Sequence, residues 1–101
     1  MYDVLLTPEF REWLDSLEPL VADRVLSVLD RIAEGNWGDY KPLPGNPGIF
    51  ERRLMGRGPG YRLYFCRQRG NTVVMLTAGD KASQQRRDIG RARRLLEIYQ
   101  D

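Results

Sequence analysis

Histidine is absent from the 101-residue sequence, and cysteine occurs once, as Cys66. Because there is no histidine, a Ser-His-Asp triad and a Cys-His dyad are excluded. Because there is also only one cysteine, a zinc site built from histidine and cysteine ligands is excluded as well. A lone cysteine has no partner for an internal disulfide, which favours a reducing, cytoplasmic location. The glycine-rich loops that bind nucleotide phosphates are missing too, and we expect neither a metal nor a cofactor.

Long hydrophobic runs are equally scarce. No apolar stretch approaches the roughly 20 residues that span a bilayer, and residues 1–10 lack the basic segment and the long apolar stretch of a signal peptide. We therefore expect no membrane partner. The length and the hydrophobic content of 42% suffice for one core and are too small for two, so residues 1–101 are predicted to form a single domain.

Positive and negative charges are divided unevenly along the chain. Residues 1–50 hold four Lys and Arg against nine Asp and Glu, whereas residues 51–101 hold twelve against five. The first half is therefore −5 and the second half +7, although the whole chain is only +2. Clustered cations bind polyanions by releasing counterions, so the second half is a candidate surface for a nucleic acid or an acidic partner. A solvated basic helix face fits the same pattern.

Hydrophobic periodicity predicts an α+β fold with the order β-α-α-β-β-β-α. A short apolar strand over 2–6 leads into a helix for which Thr7 is a suitable N-cap and Pro8 a suitable first residue. A second helix over 20–34 completes an N-terminal helical hairpin, and a loop rich in Gly and Pro follows it. Three β-prone runs lie at 49–55, 61–67 and 72–78, and an arginine-rich helix lies at 83–99. We expect a small, mainly antiparallel sheet with the helices in a layer on one face.

Alternation along the strands defines a face that such a helical layer leaves open. On the first long strand Glu51 and Arg53 alternate with residues of the core face, and on the next strand Arg62 and Tyr64 do the same. The third run is apolar on both faces, as a central strand would be, and is followed by Lys81 at the edge of the sheet. This surface would hold a carboxylate, several cations and a phenol.

These side chains have the chemistry needed to cleave RNA without a metal. The reaction needs a base for the ribose 2′-hydroxyl, cations for the charge that builds up on the phosphate, and an acid for the leaving 5′-oxygen. Ion pairs across the strands of a solvated face would use the same residues and contribute about 0.2–1 kcal/mol per pair. The pattern alone leaves both interpretations open.

Five motifs follow one another along the chain. They are F-x-x-W-L in the first helix, G-D-x-K in the loop, E-x-R on the first long strand, G-P-G-Y-R-x-Y-F, and G-D-K with a following Q and D-I. In this order they resemble the RelE/ParE toxin superfamily over nearly the whole chain. The resemblance is strongest to its HigB-like branch, the addiction module killer proteins.

The resemblance implies the toxin of a type II toxin–antitoxin system, a class associated with plasmid stabilization. It implies an mRNA interferase, a metal-independent endoribonuclease that cuts mRNA on the ribosome and inhibits translation. The implied partners are the ribosome, mRNA and a cognate antitoxin, for which we expect a helix-turn-helix protein encoded by an adjacent gene. The alternatives are a non-enzymatic DNA gyrase inhibitor of the ParE type and a RelE-fold protein without toxicity.

The resemblance also implies roles for individual residues. Glu51 or Lys81 would act as acid or base, and Arg62 would contact the scissile phosphate. Arg53 would position the RNA, and Tyr64 would stack on a base. In this nuclease interpretation the site therefore lies on the face that alternation predicts to be open.

Three further predictions concern basic and aromatic residues outside that face. Arg86 and Arg87 are expected to bind RNA, although a solvated helix face explains them as well. Trp37 is expected to anchor its loop rather than to stack on RNA. Arg52 stands on the core face at a place where the family usually has an apolar residue, a departure from the family pattern that bears on the register of this strand.

Overall fold

The computed structural model of the protein describes residues 1–54 and 60–100. The elements are β1 (Asp3–Leu6), α1 (Pro8–Asp15), α2 (Pro19–Ala33), β2 (Tyr40–Pro42), β3 (Phe50–Leu54), β4 (Tyr61–Gln68), β5 (Thr72–Gly79), a 3₁₀ turn (Ala82–Gln84) and α3 (Gln85–Tyr99). Most of the turn predicted at 56–60, and the end of the first β-prone run at Met55, lie outside the described residues. None of the helices in the described ranges has both the length and the apolar character to cross a membrane.

The five strands form one mixed sheet in the order β1-β5-β4-β3-β2. All neighbours are antiparallel except β1 and β5, which are parallel. The predicted α+β fold, the antiparallel meander and the central position of β5 are confirmed. The sequence does not predict β2, because an exposed edge strand of three residues that ends in proline has no apolar alternation.

Helices α1 and α2 pack on one face of the sheet and enclose the larger apolar core. Phe10, Ile32 and Phe65 are completely buried in it. The predicted N-cap is confirmed, since Thr7 Oγ1 accepts a hydrogen bond from the Phe10 amide at 3.0 Å and donates one to the Leu76 carbonyl at 2.6 Å. This cap ties the start of α1 to the central strand.

Trp37 holds the loop after α2 against the same face. Its ring makes edge contacts with Tyr2, Tyr40, Phe50 and Phe65, and the closest centroid distances are 5.1 Å to Tyr40 and 5.3 Å to Phe65. Edge-to-face packing of this kind is favourable for aromatic rings. The prediction that Trp37 anchors its loop is confirmed.

Helix α3 packs on the opposite face from α1 and α2, so the prediction of a single helical layer is wrong. Ala92 and Leu95 of α3 form a second core with Ile49, Val74 and Leu76. An apolar stripe shows that a helix has a buried side, but it does not show which face of the sheet that side covers. The central strands are therefore buried on both faces.

A β-bulge interrupts the pairing of β4 with β5 in the middle of the sheet. Tyr64 pairs with Thr77 and Phe65 pairs with Met75, so β5 carries one extra residue, Leu76. A bulge of this kind bends the strand and redirects the side chains that follow it. The residues of β5 beyond the bulge lead to the candidate site.

Candidate functional site

The register of β3 with β4 brings four of the predicted site residues together on one face. Glu51 lies opposite Tyr64, and Arg53 lies opposite Arg62. On its other side Arg62 pairs with Gly79 of β5, so that Lys81 follows at the same end of the sheet. The shared face that alternation predicts is confirmed, and Arg52 does not disturb the register.

Arg53 and Arg62 are a cross-strand pair of like charge. Arg53 is half-exposed, and its Nε lies 3.0 Å from Glu51 Oε1 in an ion pair. The Nε of Arg62 is buried and makes no hydrogen bond to any residue in the described part of the chain. Like charges directly opposite each other destabilise a sheet, and one carboxylate neutralises only one of the two guanidiniums. The pair therefore keeps a net positive charge.

Glu51 and Tyr64 are both buried, so the prediction that this face is open is wrong at both positions. The Glu51 residue is 1% exposed and Tyr64 is 0% exposed. At Tyr64 the cause is the placement of α3, whose Ala92 and Leu95 pack in the same buried cluster. The ring of Tyr64 consequently has no free surface on which a nucleobase would stack.

The Tyr64 hydroxyl lies among charged side chains. Burial raises the pKa of the Tyr64 phenol to about 12, Glu51 and Asp88 add to the rise, and Arg62 and the Gln85 side chain oppose it. Despite this proximity of Gln85, the hydroxyl makes no hydrogen bond of normal geometry within the described residues. Tyr64 is therefore a neutral phenol at physiological pH.

Asp88, in the first turn of α3, is a buried carboxylate that is not predicted from the sequence as a site residue. It is 4% exposed, and its Oδ1 accepts a hydrogen bond from Arg91 Nη2 at 2.7 Å. Burial raises the pKa of Asp88 above its usual value, and Arg91 opposes that rise. The spacing of Asp88 with the buried Ala92 and Leu95 is the sequence signal that places it on the inner side of α3.

Asp88 also explains the glycine at the end of β5. A Cβ added at Gly79 would lie 1.9 Å from Asp88 Oδ2, which is closer than two non-bonded atoms approach. With a larger residue at the position that pairs with Arg62, the Asp88 carboxylate or α3 would have to move. The close approach of Gly79 and Asp88 thus belongs to the packing of α3 against the end of β5.

The three remaining predicted site residues are exposed cations that follow Gly79 closely in the chain. They are Lys81, which precedes the 3₁₀ turn, and Arg86 and Arg87, which lie in the first turn of α3. Arg86 and Arg93 line a cleft of about 640 Å³ between α3 and the loop that contains Gly45 and Asn46. The start of α3 and the residues just before it thus present cations to solvent.

The sequence matches the model of a family described as phage derived protein Gp49-like (DUF891), over residues 12–97. The chain belongs to this family. The matched range includes every residue of the candidate site. A relative, an uncharacterized protein of Haemophilus influenzae, is 39% identical over 92 residues, which are 90% of this chain and 89% of the relative.

Two solved structures share the fold. The toxin–antitoxin complex RelBE2 from Mycobacterium tuberculosis matches with a TM-score of 0.64 and 26% identity, over 79% of this chain and 98% of that chain. A mutant of the E. coli toxin RelE in the free state matches with a TM-score of 0.68 and 18% identity, over 89% and 96% of the two chains. With the family match, these likenesses confirm the predicted RelE-type fold and superfamily. The narrower HigB-like assignment stays a prediction.

Proposed function

We propose that this protein is the toxin of a type II toxin–antitoxin system and acts as a ribosome-dependent, metal-independent mRNA endonuclease. The observation that carries the proposal is the cross-strand pair of Arg53 and Arg62 beside the Glu51 carboxylate. Two guanidiniums that face each other are suited to an anion between them, because their N–H groups pair well with phosphate oxygens. The scissile phosphate of an RNA supplies that anion.

In the proposed reaction a base takes the proton of the ribose 2′-hydroxyl, and the 2′-oxygen forms a bond to phosphorus. The bond between phosphorus and the 5′-oxygen breaks, which leaves a 2′,3′-cyclic phosphate and a 5′-oxygen that receives a proton from an acid. We assign Glu51 as the base and Lys81 as the acid, and Arg62 stabilises the charge on the phosphate in the transition state. Because Glu51 is 1% exposed in the RNA-free protein, this role requires that substrate binding uncovers its carboxylate. Cations aimed at developing charge are often the largest single contribution to such a rate.

Arg53 has a positioning role in this proposal. In the RNA-free protein its guanidinium forms an ion pair with Glu51. An incoming phosphate competes for Arg53 and releases the Glu51 carboxylate next to the reacting 2′-hydroxyl. The arrangement ties the activity of the base to the presence of substrate.

Contacts with RNA outside the reacting phosphate are assigned to Arg86 and Arg87. Both are exposed at the start of α3, where they neutralise backbone phosphates with release of counterions. Tyr64 is assigned a positioning role beside Glu51, its cross-strand partner, in place of base stacking, because its ring is buried and its hydroxyl is neutral.

Neutralisation by a cognate antitoxin in the cytoplasm belongs to the same proposal. The M. tuberculosis structure of similar fold is a toxin–antitoxin complex, which supports an antitoxin partner for this chain. We expect the partner to be a helix-turn-helix protein from an adjacent gene.

Expression of this chain alone tests the proposal. Induction is expected to arrest bacterial growth, to stop translation with cleavage of ribosome-bound mRNA and to leave plasmid supercoiling normal, and the neighbouring gene is expected to restore growth. Normal growth at a confirmed high level of folded protein would identify a RelE-fold protein without toxicity. A DNA damage response with relaxed or cleaved plasmid and intact mRNA would identify a gyrase inhibitor instead.

A further inference from the structure

A second group of cations lies on the helical-hairpin side of the sheet, away from Arg53 and Arg62. A cleft of about 330 Å³ separates α2 from β3 on this side. Its lining combines three guanidiniums and a hydroxyl with two apolar side chains. The lining residues are Arg24, Ser27, Val28, Arg31, Arg52 and Leu54.

Helix α2 supplies one wall of this cleft. Arg24, Ser27 and Arg31 recur at spacings of three and four residues and so form one stripe along the helix. All three are exposed. The first half of the chain has only four Lys and Arg against nine Asp and Glu, yet two of the four lie in this stripe. The gathering of cations here is therefore not a consequence of a generally basic surface.

Strand β3 supplies the opposite wall through Arg52. The Arg52 guanidinium packs on the backbone of Gly38, where an added Cβ would lie 2.6 Å from Nη2. Its Nη1 donates a hydrogen bond to the Arg53 carbonyl, and its Nε is buried without an acceptor among the described residues. These contacts hold the guanidinium in place, whereas an exposed arginine would move freely.

Three guanidiniums line the cleft, and one carboxylate, that of Asp39, acts on Arg52. Burial lowers the pKa of the Arg52 guanidinium below its usual value, Asp39 opposes the shift, and Arg31 adds to it. Arginine nevertheless stays protonated in proteins, so Arg31 and Arg52 repel each other across the cleft. A bound anion would replace this repulsion by charge-assisted hydrogen bonds.

We propose that this cleft binds a phosphate group, with Arg24 and Arg31 on one side, Arg52 on the other and the Ser27 hydroxyl as a further donor. A carboxylate presents two oxygens in one plane, whereas a phosphate presents its oxygens tetrahedrally and can accept hydrogen bonds from both walls at once. The phosphate belongs to an RNA chain, at its end or along its backbone, or to a free nucleotide. The inference does not depend on the proposed catalytic activity, because Arg52 and Arg53 alternate on β3 and project to opposite faces.

Titration of the full chain with inorganic phosphate and with adenosine 5′-monophosphate tests the proposal by NMR at constant ionic strength. The Nε–H signals of Arg31 and Arg52 and the amide signal of Ser27 are expected to shift along one saturable curve. Arg31→Gln is expected to raise the Kd about fivefold or more, because it removes a charge-assisted hydrogen bond. Arg11→Gln, which removes an exposed arginine from α1, is the matched control and should leave the Kd unchanged.

Three results would overturn the proposal. The first is the absence of a saturable shift with both ligands while the protein is folded, and the second is the same Kd for Arg31→Gln and Arg11→Gln. The third is a saturable shift with an acidic peptide and none with phosphate or RNA, which would indicate a protein partner instead. Because the readout is binding, a protein that proves non-toxic but binds phosphate here keeps this inference and loses only the proposed function.

The source of the phosphate is identified by measuring the binding of two short single-stranded RNAs. The two RNAs are identical except that one has a 5′-phosphate and the other a 5′-hydroxyl. Tighter binding of the phosphorylated copy, lost in Arg31→Gln, supports a terminal phosphate. Equal binding of both copies, weakened alike in Arg31→Gln, supports a backbone phosphate. RNA binding that Arg31→Gln leaves unchanged, together with a phosphate response that it weakens, supports a free nucleotide.

Discussion

The two faces of the sheet are packed with different kinds of side chain. The core under α1 and α2 consists of apolar residues such as Phe10, Ile32 and Phe65. The opposite face, under α3, also buries the carboxylates of Glu51 and Asp88 and the hydroxyl of Tyr64. Each carboxylate is ion-paired, Glu51 with Arg53 and Asp88 with Arg91, which offsets much of the free energy that burying a charge costs. The hairpin face, under α1 and α2, buries unpaired nitrogen atoms of Trp37 and Arg52 but no carboxylate among the described residues. We therefore expect the hairpin face to supply most of the stability, whereas the α3 face carries the candidate site.

The largest loss of stability is expected on the hairpin face. Phe10→Ala removes a completely buried ring that packs on Trp13 with a centroid distance of 5.6 Å. Large-to-small changes of this kind cost about 3–5 kcal/mol because they lose apolar burial and leave a cavity. Urea denaturation measures the change, and Ile98→Ala on the exposed side of α3 is the control, expected to stay within about 0.5 kcal/mol of the parent. A loss below about 1 kcal/mol for Phe10→Ala would contradict the assignment of stability to this face.

A smaller loss is expected where α3 meets the sheet. Gly79→Ala places a Cβ where the Asp88 carboxylate lies, so this carboxylate or α3 must shift, at a cost of about 1–3 kcal/mol. Gly90→Ala is the matched control, because the nearest atom to its added Cβ is Arg94 Nη1 at 4.0 Å and alanine favours a helix by up to about 1 kcal/mol. Thermal or urea unfolding of both variants measures the difference. Equal stability of the two variants would show that the Asp88 contact does not fix α3.

Tyr64→Phe is expected to act mainly at alkaline pH. Because the folded-state pKa is raised from 10.0 to about 12, the neutral phenol stabilises the fold below pH 10, and this contribution is lost as the pH rises towards 12. The loss is on the order of 2 kcal/mol, and Tyr64→Phe should not show it. Near neutral pH the variant should differ from the parent by about 1 kcal/mol at most, since the hydroxyl makes no hydrogen bond of normal geometry among the described residues.

Absorbance titration of the phenolates measures the same property directly. The parent is expected to show one tyrosine that ionises near pH 12, and Tyr64→Phe should remove that step. If Tyr64→Phe instead removes an ionisation step near pH 10, Tyr64 is exposed to water. That result would contradict the burial of its hydroxyl, on which the contrast between the two faces rests.

The sequence predicts the strands and the face assignments of β3 and β4 because both strands alternate regularly. Glu51, Arg53, Arg62 and Tyr64 share a face as period-two alternation requires. The N-cap at Thr7 is predicted for a similarly local reason, since a hydroxyl before a helix-starting proline has a specific geometric role. Features that depend on one strand or one turn are thus readable from the sequence.

The burial of the site cannot be predicted from the sequence in the same way, because it depends on where α3, which is distant in sequence, packs on the sheet. The apolar stripe of α3 fits either face of the sheet, and its true position decides whether Tyr64 is exposed. The bulge at Tyr64 and Phe65 is likewise a tertiary feature with no distinct local pattern. Asp88 alone has a usable signal, the helical spacing that aligns it with Ala92 and Leu95.

The smallest change in stability, and the largest in activity, is expected at Arg62 and Lys81. Lys81 is an exposed cation and Arg62 a partly exposed one, and such charges contribute about 1 kcal/mol or less to folding. If Arg62 stabilises charge on the scissile phosphate, Arg62→Ala should cost on the order of 3 kcal/mol in the transition state, or about a hundredfold in rate. Lys81→Ala should behave alike, and Lys81→Gln tests whether charge or reach matters.

The central claim is that the face carrying Arg53 and Arg62 is the catalytic site. The most direct test measures cleavage of ribosome-bound mRNA by Arg62→Ala and Lys81→Ala, together with a melting curve for each variant. Arg11→Ala is the control. The account predicts that both variants melt close to the parent, lose about a hundredfold in cleavage rate and no longer arrest growth, whereas Arg11→Ala stays fully active. If both alanine variants are folded and cleave at the parental rate, the face that carries Arg53 and Arg62 is not the catalytic site; if both are unfolded, these side chains belong to the structure rather than to catalysis.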